Sequence, residues 1–363
     1  MKRVKVNLDK RSYNVDIGSG AARLLPERIK AMGFTGPVVV ITDRVVKAKT
    51  IRIVSPVLKK LKNDVIQVAV PAGERSKSLK VFQDTAQKIS RKTKLHRPLI
   101  AALGGGVVGD LAGFIAATYR RGVPLIQVPT TLLAQVDSSI GGKVGVDLPE
   151  AKNLIGAFCQ PQCVLADTDL LGTLPPRQIK NGLAEIIKCA VIKSRGLFDH
   201  LDRNMKSVLA LKTGVMEEII CECVAIKARV VELDELDLKG IRVILNFGHT
   251  LGHAIETAGG YSKTYNHGEA IAVGMVLAGE IAVKLDMFRQ SDLDRMKGLI
   301  KKAGLPVRAE GVSAAKIMDS YGYDKKFTAG TNRFVLPKRI GAVEAVEDIP
   351  RLLVKTVLRK YVG

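Results

Sequence analysis

Tryptophan is absent from the 363 residues, and phenylalanine and tyrosine number only nine and seven. Proteins that bind single-stranded nucleic acid without sequence preference stack the bases on aromatic side chains. The shortage of such platforms argues against that role, even though the formal charge is +22. The basic residues run from Lys2 to Lys360 with no dense tract. They therefore read as a lysine-rich surface or as a cleft for a phosphorylated small molecule, and no nucleic-acid partner is expected.

Cysteine is scarce as well. There are five, Cys159, Cys163, Cys189, Cys221 and Cys223. An odd number argues against a disulfide framework, and the C-x3-C and C-x-C pairs lack a second pair at zinc-finger spacing. Free, buried thiols are the expectation. Long hydrophobic runs are also missing. The most apolar stretch, "RPLIAALGGGVVGDLAGFIAATYRR", is broken by glycines and by Asp110. A membrane span needs about 20 apolar residues in succession. The opening "MKRVKVNLDK" alternates charge with valine and has no apolar signal-peptide core. A cytoplasmic protein with no membrane partner is expected.

What is present is an ordinary soluble composition, 47% hydrophobic and 25% charged, in a chain long enough for two domains. In the first half, short β-rich runs alternate with helical ones. "PVVVITD", "NDVIQVAV", "RPLIAAL" and "PLIQVP" read as strands, and "SKSLKVFQDTAQKISRK" and "GDLAGFIAATYRR" as helices. Such alternation predicts a parallel sheet flanked by helices. After "TLPPRQ" the β-rich runs largely give way to helical periodicity, apart from a hairpin in "NRFVLPKRIGAVEAVED". The prolines Pro175 and Pro176 mark the expected boundary. Residues 1–174 form a Rossmann-like α/β domain, and residues 175–363 form an all-α domain.

Several motifs carry chemistry. "LGGGVVGD" places Gly104, Gly106 and Gly109 as G-x-G-x-x-G between a strand and a helix. Such a turn lets backbone N–H groups approach a diphosphate at the helix N-terminus. A dinucleotide fingerprint also needs an acid about 20 residues on, at the end of the next strand. Here that strand ends in "PTT", so a simple Rossmann unit is not expected. The loop "DSSIGGKVGVDLPEAKN" offers Lys143 and Lys152 to an anion, and "YRRGV" offers Arg120 and Arg121. In "NGLAEIIKCA", Glu185 lies in an apolar helix, where burial demands either an ion pair with Lys188 or a metal. Of the five histidines, His249, His253 and His267 crowd into one short stretch. His249 and His253 are spaced i, i+4 on one helix face, good geometry for one metal. With a carboxylate, two or three imidazoles form a zinc-type site with an open position.

Together "GGGVVGDLAGFIAATYRRGVPLIQVPTTLLAQVDSSIGGKVGVD", "KNLIGAF", "GLAEIIK" and "NFGHTLGHAIE" resemble, in order, the signatures of the 3-dehydroquinate synthase family of sugar-phosphate cyclases. The resemblance implies an N-terminal α/β domain for NAD, a helical C-terminal domain for metal and substrate, and an active site between them. It implies a zinc or cobalt ion on Glu185, His249 and His267, with His253 in the substrate pocket. It implies catalytic roles for Asp137, Lys143, Lys188, Lys227, Asn246 and His253. Substrate contacts fall to Arg121, Lys152, Asn153, Arg242 and, in "YDKKF", Lys326 or its neighbour Lys325. NAD contacts fall to Asp43, Glu74, Lys77, Gly105, Gly106, Asp110, Thr130, Thr131, Lys143, Lys152, Thr173 and Leu174. Two departures from the family pattern, Val45 and Gln178, lie at the nucleotide end. The implied partner is a small sugar phosphate, and the implied assembly is a homodimer.

Overall fold

A computed structural model describes residues 1–148, 152–260, 264–322 and 332–362. They fall into two compact units. The first comprises Met1–Pro175 with Thr213–Leu236, and the second Pro176–Lys212 with Asp237–Gly363.

The strands of the first unit are β1 (Lys2–Val6), β2 (Tyr13–Gly18), β3 (Val38–Asp43), β4 (Val65–Val70), β5 (Leu99–Gly104), β6 (Leu125–Pro129), β7 (Lys143–Val146), β8 (Ile155–Phe158) and β9 (Cys163–Asp167). Its leading helices are α1 (Leu25–Ala31), α2 (Arg44–Leu58), α3 (Leu79–Lys92) and α4 (Gly106–Thr118). Seven strands form one sheet in the order β1-β2-β9-β6-β5-β3-β4. Only the β1–β2 pairing is antiparallel. The strands β5, β6 and β9 are buried along their whole length, because helices cover both faces of a parallel sheet.

Alternation within β3 shows which helix covers which face. Val39 and Ile41 pack with residues of α3 and α4, whereas Val38 and Val40 pack with residues of α1 and α2. The helices after β3 and after β5 thus lie on opposite faces. The strand order reverses between these two neighbours, which opens a crevice at their carboxyl ends. Open α/β sheets bind ligands at such a switch point. The acid missing downstream of the glycine turn is found here. Thr42 of β3 is in register with Leu103 of β5, so Asp43 stands beside Gly104. It lies on the neighbouring strand but precedes the turn in sequence, so the downstream spacing rule does not reach it.

A correction concerns the domain division at Leu174. The segment Thr213–Leu236 has helical periodicity but packs with the first unit. Polar contacts to distant residues explain why. Glu232 accepts from the Asn7 backbone and side chain at 2.8 and 3.0 Å. Arg11 makes a two-pronged contact with Glu235 at 2.9 and 2.7 Å. Lys227 reaches Asp137 at 2.7 Å.

The helices of the second half are α5 (Pro176–Lys193), α6 (Arg195–Leu209), α7 (Thr213–Leu233, the helix just described), α8 (His249–Ala258), α9 (His267–Lys284), α10 (Gln290–Lys302), α11 (Ala314–Gly322) and α12 (Arg351–Tyr361). The hairpin β10–β11 (Arg333–Arg339, Ala342–Glu347) joins this otherwise helical unit. Among the described residues no helix is long and apolar enough to cross a membrane.

The α8–α9 crossing is unusually close, and glycine makes it possible. Gly248 has φ +78°, a conformation that favours glycine, and turns the chain into α8. A Cβ on Gly274 would sit 2.0 Å from the Gly248 carbonyl oxygen and 2.8 Å from the Gly252 nitrogen. Backbone meets backbone there, with no flexible side chain to yield. Gly274→Ala is expected to cost about 1–3 kcal/mol by overpacking. Urea denaturation checks this, and an unchanged midpoint would contradict it.

Candidate functional site

In the first unit, the residues expected to hold a nucleotide line the carboxyl edge of the parallel strands. Asp43 ends β3, and both Val45 and Val46 N–H groups donate to its carboxylate at 2.8 Å. Glu74 and Lys77 follow β4, Gly105 and Gly106 follow β5, Thr130 and Thr131 follow β6, and Thr173 and Leu174 follow β9. At Gly105 a Cβ would lie 3.0 Å from Thr131, and at Gly106 it would lie 3.1 Å from the Ser138 hydroxyl. The turn is therefore a narrow cradle bounded by the Thr131 methyl group and the Ser138 hydroxyl. Thr130 Oγ1, just after β6, and Ser138 Oγ are buried without a hydrogen-bond partner. Buried hydroxyls are ordinarily hydrogen-bonded, so these two are open to a polar group.

Beside the cradle, ionic residues from both expected groups converge. Lys77 is buried and contacts Asp110 at 2.6 Å, and it also meets Asn153 and Asp147. Burial lowers the Lys77 pKa, but Asp110 and the neighbouring acids outweigh it, and the net shift is upward. Lys152 pairs with Glu74 at 3.5 Å. The Asn153 backbone donates to Asp147 at 2.8 Å. Lys143 opens β7 and is exposed. In the same unit, Lys227 is buried and bonded to the Asp137 backbone carbonyl at 2.6 Å and to its carboxylate at 2.7 Å. Asp137 belongs to a single π-helical turn, Ala134–Ser138, of the kind that often marks functional sites. Two departures from the family pattern, Val45 and Gln178, are exposed.

Arg121 is not brought to this edge. It follows α4 and precedes β6, so it lies at the opposite, amino edge of the sheet, exposed and with φ +62°. Lys325 and Lys326 lie outside the described residues.

In the second unit, α5 presents one face to the start of α9, one residue per turn. Arg177 makes two bonds with Glu269 at 2.8 and 2.7 Å. The Asn181 side-chain oxygen accepts from the Gly268 N–H at 2.6 Å. One turn on, Glu185 Oε1 is 3.1 Å from His267 Nε2. Gly268 permits the approach, since its Cβ would lie 2.4 Å from the Asn181 carbonyl oxygen. A capping box of Asn266 and Glu269 fixes the first turn of α9, and with it His267.

His249 arrives from α8, its Nε2 3.7 Å from the same Glu185 oxygen. Its Nδ1 is 3.1 Å from the Phe247 carbonyl. A carbonyl only accepts, so Nδ1 carries the proton and Nε2 points a lone pair at the carboxylate. Burial, reinforced by the Lys188 charge, pushes the His249 pKa well below its ordinary 6.5, so the ring is neutral. A lone pair and a carboxylate facing each other suit a cation between them. Donor atoms of Glu185, His249 and His267 all lie within 4.8 Å of one another. Tetrahedral zinc places its ligand atoms about 3.4 Å apart. His253, the i, i+4 neighbour, stands beside this group with its ring centroid 5.1 Å from that of His249 and 6.0 Å from that of His267. Lys188 pairs with the other Glu185 oxygen, and both side chains are buried. Burial raises the Glu185 pKa, but Lys188 and the two imidazoles outweigh it and hold the carboxyl well below its usual range. Arg242 is buried on the 3-10 turn Ile241–Asn246 that leads to Phe247, and Asn246 ends that turn.

Two features escaped the reading of the sequence. Glu256 is buried on α8, 3.5 Å from His267 Nδ1. Its i, i+3 spacing from His253 could have revealed it. The Phe247 carbonyl could not have been found, because backbone acceptors leave no mark in a sequence.

The fold is that of cyclases acting on sugar-derived substrates. The chain superimposes on a 2-deoxy-scyllo-inosose synthase complexed with carbaglucose-6-phosphate, NAD+ and Co2+, with TM-score 0.87, 27% identity, and coverage of 99% of this chain and 100% of that one. A 2-epi-5-epi-valiolone synthase from Streptomyces hygroscopicus subsp. jinggangensis 5008, with NAD+ and Zn2+ bound, gives TM-score 0.88 and 25% identity over 98% of each chain. Residues 67–181 match the 3-dehydroquinate synthase N-terminal domain family, and residues 182–327 match its C-terminal domain family. A 3-dehydroquinate synthase from Acidithiobacillus ferrooxidans is 42% identical over 99% of this chain and 98% of its own. The chain belongs to the 3-dehydroquinate synthase family.

The clasp between α5 and α9 makes a pH-dependent contribution. Burial raises the Glu269 pKa, but hydrogen bonds from Arg177 and the Asn266 N–H outweigh it and lower the pKa below its ordinary 4.5. A carboxyl with a lowered folded pKa stabilises fully above its ordinary value and loses that contribution as pH falls through the lowered one. As the pH falls below 4.5, the wild type should therefore lose more stability than Glu269→Gln. Unfolding free energies measured across that range check this, and parallel curves would contradict it.

Proposed function

We propose that the chain converts 3-deoxy-D-arabino-heptulosonate 7-phosphate to 3-dehydroquinate and phosphate, using NAD and one divalent metal, zinc or cobalt. The observation that carries the reading is the convergence of ligand atoms from Glu185, His249 and His267 within 4.8 Å of one another, in a chain of this family. Identity of 42% to a 3-dehydroquinate synthase, against 27% and 25% to the two other cyclases, supports the heptulosonate substrate. A cytoplasmic homodimer belongs to the same proposal.

The residues fit both cofactors. The orphaned Thr130 and Ser138 hydroxyls and the Gly105–Gly106 cradle suit a dinucleotide diphosphate, with Asp43 at the adjacent strand end for a ribose. Glu74, Lys77, Asp110, Thr131, Lys143, Lys152, Thr173 and Leu174 complete that set. One carboxylate and two imidazoles suit zinc or cobalt. When bound, NAD supplies a reversible hydride acceptor, and the metal polarises a substrate hydroxyl.

The protein's own groups bind and orient. Lys143, Lys152, Lys188, Lys227 and Arg242 give fixed positive charge for the phosphate and carboxylate of the substrate, with Asn153, Asn246 and His253 as hydrogen-bonding partners. Arg121 and Lys326 are the remaining proposed contacts. Asp137 holds the Lys227 ammonium in place. Charge arranged in advance needs no reorganisation as phosphate departs. Oxidation at one carbon acidifies its neighbour, phosphate leaves by β-elimination and can itself remove the proton. Return of the hydride leaves no net redox change. Ring opening and an intramolecular aldol step close the carbocycle.

Phosphate release from this substrate should require added NAD and be abolished by a chelator, with no NADH accumulating by absorbance. NADH build-up on a simple polyol would contradict the reading. His249→Ala should lose both metal and turnover, and a variant with full metal content and activity would overturn the assignment of that ligand.

A further inference from the structure

His249 and His267 face the same Glu185 oxygen, yet their far nitrogens meet different chemistry. His249 Nδ1 is held by a neutral backbone carbonyl at 3.1 Å. His267 Nδ1 is held by a carboxylate, Glu256 Oε2, at 3.5 Å. Glu256 is only 4% exposed. A carboxylate buried to that degree is costly unless a positive or proton-donating group meets it. It lies on α8 seven residues after His249 and three after His253, so all three share one face of that helix. The glycine contact of α8 with α9 sets that face against the start of α9.

We propose that Glu256 is a positioning residue that orients His267 for the metal, an inference that rests on the metal reading above. Its carboxylate takes the Nδ1 proton of His267 as a hydrogen bond. That fixes one tautomer and one ring orientation, so Nε2 faces Glu185 and the ion. Carboxylate–histidine–metal chains of this form raise the basicity of the ligand. The two imidazoles are then unequal. One is set by a neutral backbone dipole, and the other by a full negative charge that also offsets part of the ion's charge.

Zn2+ affinity of the full chain, measured by chelator competition, tests this, with Glu256→Gln, Glu256→Ala and Glu256→Asp alongside. Glu256→Ala should bind about 10–100-fold more weakly. Glu256→Gln keeps an acceptor oxygen but loses the charge, so it should fall between Ala and wild type. Glu256→Asp should recover part of the loss. Urea unfolding of the metal-free proteins separates this role from a merely structural one. Affinities equal to wild type in the Ala and Gln variants would overturn the proposal while leaving the metal reading intact. So would losses that simply track metal-free stability. A wild-type chain that binds no Zn2+ would overturn both.

Discussion

One buried negative charge organises the second unit. Glu185 is 1% exposed in the middle of an apolar helix, and a carboxylate there must be compensated. Lys188 meets one oxygen, and the imidazoles of His249 and His267 face the other. Each of those imidazoles needs a device to bring it there. The capping box and the Arg177 and Asn181 contacts place His267, and the left-handed Gly248 with the tight α8–α9 crossing places His249.

The first unit works by topology more than by any one charge. Reversal of strand order between β3 and β5 brings Asp43 beside the glycine turn, on opposite sides of which α2 and α4 cover the sheet. The Ser138 hydroxyl reaches the turn at Gly106, and Thr130 follows β6, the next strand along. The same edge gathers Lys77, Asp110, Asn153 and Lys152 into one ionic group. Residues that family resemblance divides between nucleotide and substrate are therefore neighbours here.

Much of this was legible in the sequence, and the reasons for the rest are physical. β3, β4, β5 and β6 coincide with short apolar runs bounded by turns, and α5, α7 and α9 with helical periodicity. Periodicity says that Thr213–Leu233 is a helix, but not which unit receives its apolar face. That depends on contacts such as Lys227 to Asp137, ninety residues apart. The glycine turn was found from its spacing. Its spacing offered no acid downstream, while family resemblance pointed to Asp43, which strand order sets beside the turn. For the histidines, i, i+4 spacing favoured His249 with His253. Space brings His267 to Glu185 through a helix start fixed by Asn181 and Glu269, and linear spacing carries no trace of that. Arg121 shows the converse, since a motif close in sequence to the glycine turn lies at the other end of α4.

Zinc-edge X-ray absorption on the metal-loaded full chain tests the central claim most directly. The account predicts one zinc per chain, with two imidazole nitrogens and a carboxylate oxygen at about 2.0–2.2 Å and no sulfur neighbour. A cysteine sulfur at about 2.3 Å, or a shell with no imidazole, would contradict it.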